Sequence, residues 1–206
     1  ITGQRIAYGG GDEYSPNPLT DEGRTGWLGL EALQDEVAMD DMIWYKNISS
    51  LFTGDDDIAE VLEHTLHTLH VLGVRGAVNG STDALNPEST TSQLYLSMVE
   101  AVDNGVFGIH GYGGTYTNQE IIPVLLTEYQ YLLTFAMWGF GKEFWENSTL
   151  APEWNDNSLN AQDVLKNNPL GYALFNKYYA PVISKPSITA LRTMFQDNDG
   201  GVSGYV

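Results

Sequence analysis

Residues 55–74, DDDIAEVLEHTLHTLHVLGV, contain the clearest helical pattern in the sequence. At roughly 100° per residue, the apolar and polar residues of this stretch separate onto two faces of a helix. The three aspartates at its start favour helix initiation, and Gly73 or Gly76 is suited to end the helix. The predicted apolar face consists of Ile58, Val61, Leu62, Thr65, Leu66, Leu69 and Leu72. The predicted polar face consists of Glu60, Glu63, His64, His67 and His70.

This polar face holds three of the chain's four histidines. Its members stand three or four residues apart, as Glu60 does from His64 and Glu63 from His67, so neighbouring pairs can chelate one ion. The spacing therefore indicates a metal site. Two other interpretations stay open: a solvated polar face, and a histidine face that responds to pH or binds a partner.

The rest of the chain is typical of a mainly α protein with little strand. We predict a single compact domain over residues 1–206, with about six helices and long loops rich in Gly, Pro and Asn. Further helices are predicted at 28–39, 91–102, 118–138, 161–166, 170–183 and 188–195. Short strands are predicted at 4–8 and 43–45, with helix as the alternative for the second. The remaining segments are an irregular arm at 1–26, loops at 75–90 and 142–157, and an acidic Gly-rich tail at 196–206.

Composition limits the classes of partner. The formal charge of −18 argues against binding of nucleic acid or anionic membranes. No apolar run reaches the length of a membrane span, and the absence of cysteine excludes disulfides and thiolate metal sites. The acidic composition and the start at Ile1 favour a mature, secreted or extracytoplasmic protein.

Two further stretches extend the candidate site. His110 lies in the segment GIHGYGGTY with Tyr112 and Tyr116, and its glycines let the backbone come close to a ligand. A surface loop with an incidental histidine is the alternative. Glu128 lies at the edge of the apolar face of the helix at 118–138. A carboxylate there must be paired, bound to a metal or extended towards solvent.

The order of these features resembles that of gluzincin-type zinc metallopeptidases, especially the lethal-factor-like ones, over residues 58–138. Where that family has His-Glu-x-x-His, this chain has Glu63-His64-Thr65-Leu66-His67, with the histidines three apart and the Glu before its His. Glu60-Val61-Leu62-Glu63-His64 is similar to the inverted motif HxxEH, with Glu in place of the first His. The resemblance implies His64, His67 and Glu128 as ligands, Glu63 as the base, and Tyr112 or Tyr116 as the oxyanion helper. A degenerate, non-catalytic member fits these departures as well.

Catalytic zinc needs three protein ligands, an open position for water and a nearby carboxylate base. His64 and His67 with either His110 or Glu128 meet the ligand count, and Glu60 or Glu63 can be the base. A site with every position filled, for instance by the three histidines and a Glu, would be structural instead.

The acidic tail offers a second candidate cation site. Asp197, Asp199 and Gly200 precede Val202 in the order of the DxDGxV core of an EF-hand-like calcium loop. A flexible acidic tail is the alternative. The sequence thus predicts a secreted metal-binding domain, a zinc-dependent hydrolase of metallopeptidase type acting on a peptide or protein. The alternative is a non-catalytic extracellular binding or assembly module with a structural metal or calcium sites.

Overall fold

The computed structural model describes residues 5–8, 42–45, 54–79, 82–145 and 153–194. The predicted helix at 28–39 and the predicted tail at 196–206 lie outside these residues, as does the N-terminal arm apart from 5–8. The internal contacts divide the chain into two units, residues 1–68 with 186–206 and residues 69–185.

The described part of the chain is mainly helical, which confirms the predicted fold class. Its α-helices are α1 Gly54–Thr68, α2 Arg75–Asn79, α3 Gln93–Asp103, α4 Ile122–Trp138, α5 Ala161–Asn167, α6 Pro169–Leu174 and α7 Ile188–Met194. The π-helical turns are Leu69–Val74, Gly141–Trp145 and Phe175–Tyr179, and the 3-10 turns are His110–Tyr112 and Asp156–Ser158. No helix among the described residues combines the length and the hydropathy that a membrane span requires.

Within the first unit, two short strands pair in parallel. They are β1 Arg5–Tyr8 and β2 Met42–Tyr45, and they match the predicted strands to within one residue. Both β2 and α7 contact α1. Ile58 and Leu66 of α1 are buried, as the predicted apolar face requires.

Within the second unit, α4 is the central helix. Thirteen of its 17 residues are buried, so it has no solvated face and it is surrounded by other elements of the unit. Helices α3 and α5 contact it, as do the π turns Leu69–Val74 and Phe175–Tyr179. Near its C-terminal end, Phe135 packs against Phe140 and Phe144, which follow the helix, and the Phe140 and Phe144 rings meet edge to face at 5.1 Å between centroids.

The ends of several helices follow from local sequence. Ser92 Oγ accepts a hydrogen bond from the Tyr95 amide at 3.1 Å and caps α3. Asn160 caps α5 in the same way. Pro123 lies in the first turn of α4, where its missing N–H costs nothing. Gly139 ends α4 with a φ of 70°, a left-handed conformation that glycine adopts without strain.

Three predicted boundaries are wrong. The helical backbone continues through Gly73 and Gly76, neither of which has a positive φ, so the predicted loop at 75–90 begins as helix α2. The predicted loop at 142–157 overlaps two helical turns. The predicted helix at 170–183 is divided between α6 and a π turn, and its last residues are not helical.

Candidate metal centre

Glu63 and His67 lie one turn apart on α1. A carboxylate oxygen of Glu63 and a ring nitrogen of His67 are within 4.8 Å of each other. Residues four apart face the same side of an α-helix, so the backbone alone keeps the two side chains together. The pair can therefore act as a chelate without any rearrangement of the helix.

Both groups are withdrawn from solvent. His67 is only 5% exposed, and its Nε2 atom is buried together with Oε2 of the half-buried Glu63. Burying a carboxylate is costly unless a positive charge or hydrogen-bond donors compensate for the lost water. The burial of His67 contradicts the solvated-face interpretation at this position.

Glu128 lies on α4 between two buried residues, Thr127 and Tyr129, and is itself half-buried. Its burial agrees with the predicted position at the edge of an apolar face. Glu128 lies in the second unit, whereas Glu63 and His67 lie in the first, so its role as a ligand stays a prediction from the sequence. These side chains offer carboxylate oxygen and imidazole nitrogen, the donor types that bind zinc and other divalent first-row metals.

His70 does not share the polar face on which the sequence placed it. It is fully buried in the π turn Leu69–Val74, whereas Leu69 and Leu72, predicted to be buried, are about 40% exposed. The π turn explains the error, because hydrogen bonds from i to i+5 rotate each residue less than the α-helical pattern assumes. The prediction of a single polar face through residue 70 is therefore wrong.

The side chain of His70 packs inside the second unit. Its Nε2 lies 3.1 Å from Thr134 Oγ1, and its ring lies 4.6 Å from the Tyr179 ring. Thr134 donates its own hydroxyl proton to the carbonyl of Gln130 at 2.9 Å. His70 Nε2 is therefore the donor to Thr134, and this nitrogen is engaged in the core of the unit.

The remaining predicted ligands of α1 and of the tail have no described side chains. Glu60 and His64 lie on α1, but their side chains are outside the described part of the structure. Asp197 and Asp199, the predicted calcium ligands, lie outside the described residues altogether. Their roles stay predictions from the sequence.

The glycine-rich loop belongs to the second unit. His110 is exposed in a 3-10 turn that ends at Gly113, with a φ of 88°, and Tyr112 in the same turn is half-buried. Tyr116 donates its hydroxyl to Asp103 Oδ1 at 3.0 Å, which raises the pKa of Tyr116. The hydroxyl proton of Tyr116 is therefore used in this hydrogen bond. The bond would have to break before Tyr116 could act as the predicted oxyanion helper.

Sequence reasoning missed a chain of buried polar side chains around α4. Tyr179 donates to Gln130 Oε1 at 2.9 Å, and Gln130 Nε2 donates to the Leu126 carbonyl at 2.7 Å. Burial raises the pKa of Tyr179, so its hydroxyl stays neutral. The sequence signal was the presence of Gln130 and Thr134 in a mainly apolar helix, because buried polar groups need partners.

A second buried hydrogen-bonded cluster joins α3 and α4 through Asn168, which lies between α5 and α6. Tyr129 donates to Asn168 Oδ1 at 2.7 Å, and Asn168 Nδ2 donates to the Ser97 carbonyl at 3.0 Å and to Glu100 Oε2 at 2.8 Å. Burial raises the pKa of Tyr129. Every partner of Asn168 lies within the protein, which is typical of a structural rather than a catalytic cluster.

The Glu63–His67 pair thus brings a carboxylate and an imidazole together on one face of α1, whereas the buried polar clusters around α4 are closed by their own hydrogen bonds. Comparison of the chain with protein-family models, curated proteins and solved structures gave no match.

Proposed function

We propose that this chain is a metal-binding helical domain that holds one divalent cation, with zinc as the preferred ion. The observation that carries the proposal is the buried Glu63–His67 pair, one turn apart on α1, with donor atoms within 4.8 Å. Imidazole and carboxylate at this spacing are the ligands that a helix offers to zinc. The acidic composition of the chain supports a secreted or extracytoplasmic location.

Glu128 is the proposed third ligand. The resemblance to gluzincin-type metallopeptidases implies it as a ligand, and it is a half-buried carboxylate on the most buried helix of the second unit. Two carboxylates and a neutral imidazole carry a charge of about −2, which a divalent cation neutralises. Three protein ligands leave one position of a tetrahedral ion for water.

A zinc-dependent hydrolase of metallopeptidase type is the catalytic form of this proposal. An open position would let the ion activate a water molecule, and a carboxylate beside the ion would accept the proton. Glu63 cannot be both ligand and base, so Glu60 is the base in this form. Tyr112 is the helper, because the hydroxyl of Tyr116 is bound to Asp103. If protein ligands fill every coordination position, no water molecule binds the ion. The ion is then structural, and the domain is a binding or assembly module.

Metal content tests the proposal. The protein is purified without an affinity tag and without added metal, and bound metal is measured by mass spectrometry in the wild type, Glu63→Gln, His67→Ala and Glu128→Gln. About one equivalent of a divalent transition metal is expected in the wild type, and each substitution removes a ligand and lowers the content. Hydrolysis of a mixed peptide library by the metal-loaded protein then separates the catalytic form from the structural one.

The matched controls are His110→Ala and Glu120→Gln, which change an exposed histidine and an exposed glutamate. Both are expected to keep the wild-type metal content. Wild-type protein without stoichiometric metal, or equal loss of metal in controls and ligand variants, would overturn the proposal.

A further inference from the structure

The second unit contains a buried guanidinium group. Arg75, the first residue of α2, is only 7% exposed, and its Nε and Nη2 atoms are both fully buried. Neither nitrogen has a hydrogen-bond acceptor within the part of the chain that the structure describes. An arginine stays protonated at physiological pH even when burial lowers its pKa, so a positive charge lies inside the unit.

The neighbouring groups do not neutralise this charge. Tyr179 is the electrostatic partner of Arg75, but burial raises the pKa of that phenol and keeps it neutral. The Tyr179 hydroxyl also donates its proton to Gln130. Among the described residues, Arg75 forms no ion pair with a carboxylate. A buried cation in this setting is costly, and an anion that enters beside it removes much of that cost.

The positions of Arg75 Nε and Nη2 determine which kind of anion the site fits. Nε and Nη2 lie on the same edge of the planar guanidinium, so their N–H bonds run parallel. This edge matches the two oxygens of a carboxylate and gives two parallel charge-assisted hydrogen bonds. A carboxylate also balances the single positive charge, whereas a phosphate dianion would leave an excess negative charge in a buried place.

We propose that the buried edge of Arg75, beside Tyr179, is a binding site for the carboxylate group of a small organic acid. The site belongs to the second unit alone and uses none of the proposed metal ligands. Its two N–H donors fix the plane of the carboxylate, and the neighbouring Tyr179 is held in place by its hydrogen bond to Gln130 and by its ring contact with His70.

Titration with simple carboxylates tests this site. Sodium acetate and sodium benzoate are added to the whole protein at constant ionic strength, with sodium chloride as the reference salt. The melting temperature and the Nε–Hε nuclear magnetic resonance signals of the chain's four arginines are followed. A carboxylate that binds the folded state raises the melting temperature with concentration, and the Arg75 signal is expected to move in the same range.

Variants separate specific binding from a general salt effect. Arg75→Gln is expected to abolish the carboxylate response. Arg75→Lys keeps the charge but loses the parallel donors, so the apparent Kd is expected to rise by about tenfold or more. Arg192→Gln changes an exposed arginine and is expected to respond as the wild type does. If Arg75→Gln does not fold, Arg75→Lys and the Arg75 signal decide the question.

An identical response to carboxylates and chloride in the wild type would overturn the proposal. An Arg75 signal that does not move would also overturn it, because the added carboxylate would then not reach the guanidinium. Either result leaves the metal proposal untouched, because the two sites share no residue.

Discussion

The side-chain amide of Asn168 links several buried groups of the second unit. It is fully buried, and its amide joins Tyr129, the Ser97 carbonyl and Glu100. Asn168→Ala would leave these partners buried without their hydrogen bonds, and it would open a small cavity. We expect the free energy of unfolding to fall by about 2–4 kcal/mol, measured by urea denaturation.

The control for this substitution is Asn176→Ala. Asn176 is exposed and its side chain bonds only to a carbonyl one turn earlier. A change below about 1 kcal/mol is expected there. Equal effects of the two substitutions would contradict the structural role of Asn168.

Glu153 gives the protein a specific pH dependence. One of its carboxylate oxygens is buried without a partner among the described residues, and desolvation raises its pKa above 4.5. The folded state therefore binds the proton more tightly than the unfolded state. The stabilisation is complete below the ordinary pKa and is lost as pH rises through the raised pKa.

Glu153→Gln should remove this pH-dependent change in stability. As pH rises through the raised pKa of Glu153, the variant is expected to gain stability relative to the wild type. The gain stays below about 1 kcal/mol, because the side chain is half exposed and solvent screens it. Urea denaturation as a function of pH measures it, and Glu120→Gln is the exposed control. A constant difference between variant and wild type at all pH values would refute the assignment.

At the scale of elements, the approach of α6 to α4 depends on Gly171. A Cβ atom at this position would overlap the side-chain amide of Asn168 and the hydroxyl of Tyr129. Both groups belong to the buried hydrogen-bonded cluster around Asn168, so neither can shift without breaking these hydrogen bonds. Gly171→Ala is therefore expected to destabilise the protein by about 2 kcal/mol or more in thermal or urea denaturation.

Gly111→Ala is the matched control. Gly111 has no neighbouring atom within 4 Å of an added Cβ and does not have a positive φ. Stability close to that of the wild type is expected there. A tolerated alanine at position 171 would contradict the close approach of Gly171 to Asn168 and Tyr129.

The elements also show what a sequence can predict. The apolar residues of α1, α3 and α4 recur with the helical period over several turns, which predicts a helix from sequence alone. Ser92 and Asn160 accept hydrogen bonds from the first backbone amides of their helices, as residue types common at helix starts do. Such elements were predicted to within a few residues. The Glu63–His67 spacing was predictable for the same reason, since it depends only on the period of the helix.

Other features depend on contacts that periodicity does not encode. The π turn Leu69–Val74 changes the angular step, so it buries His70 and exposes Leu69 and Leu72. The burial of Arg75 is of the same kind, since its environment comes from Tyr179, more than 100 residues away in the sequence. A pattern within a single helix does not contain that information.

At the scale of the whole molecule, the dominant physical feature is the excess of negative charge. The chain has 27 acidic and nine basic residues, and like charges held in a folded chain repel one another. Bound divalent cations reduce this repulsion and also satisfy buried carboxylates. A metal ion bound at the Glu63–His67 pair would therefore stabilise the fold as well as provide any chemistry.

The most direct test is the melting temperature of the metal-free protein as a function of zinc concentration, in the wild type and in Glu128→Gln. A ligand that binds only the folded state stabilises it by about 2.7 kcal/mol at a concentration 100 times its Kd. The account predicts a rising melting temperature in the wild type and little or no rise in the variant. Curves that coincide, or a wild type insensitive to zinc, would contradict the metal site.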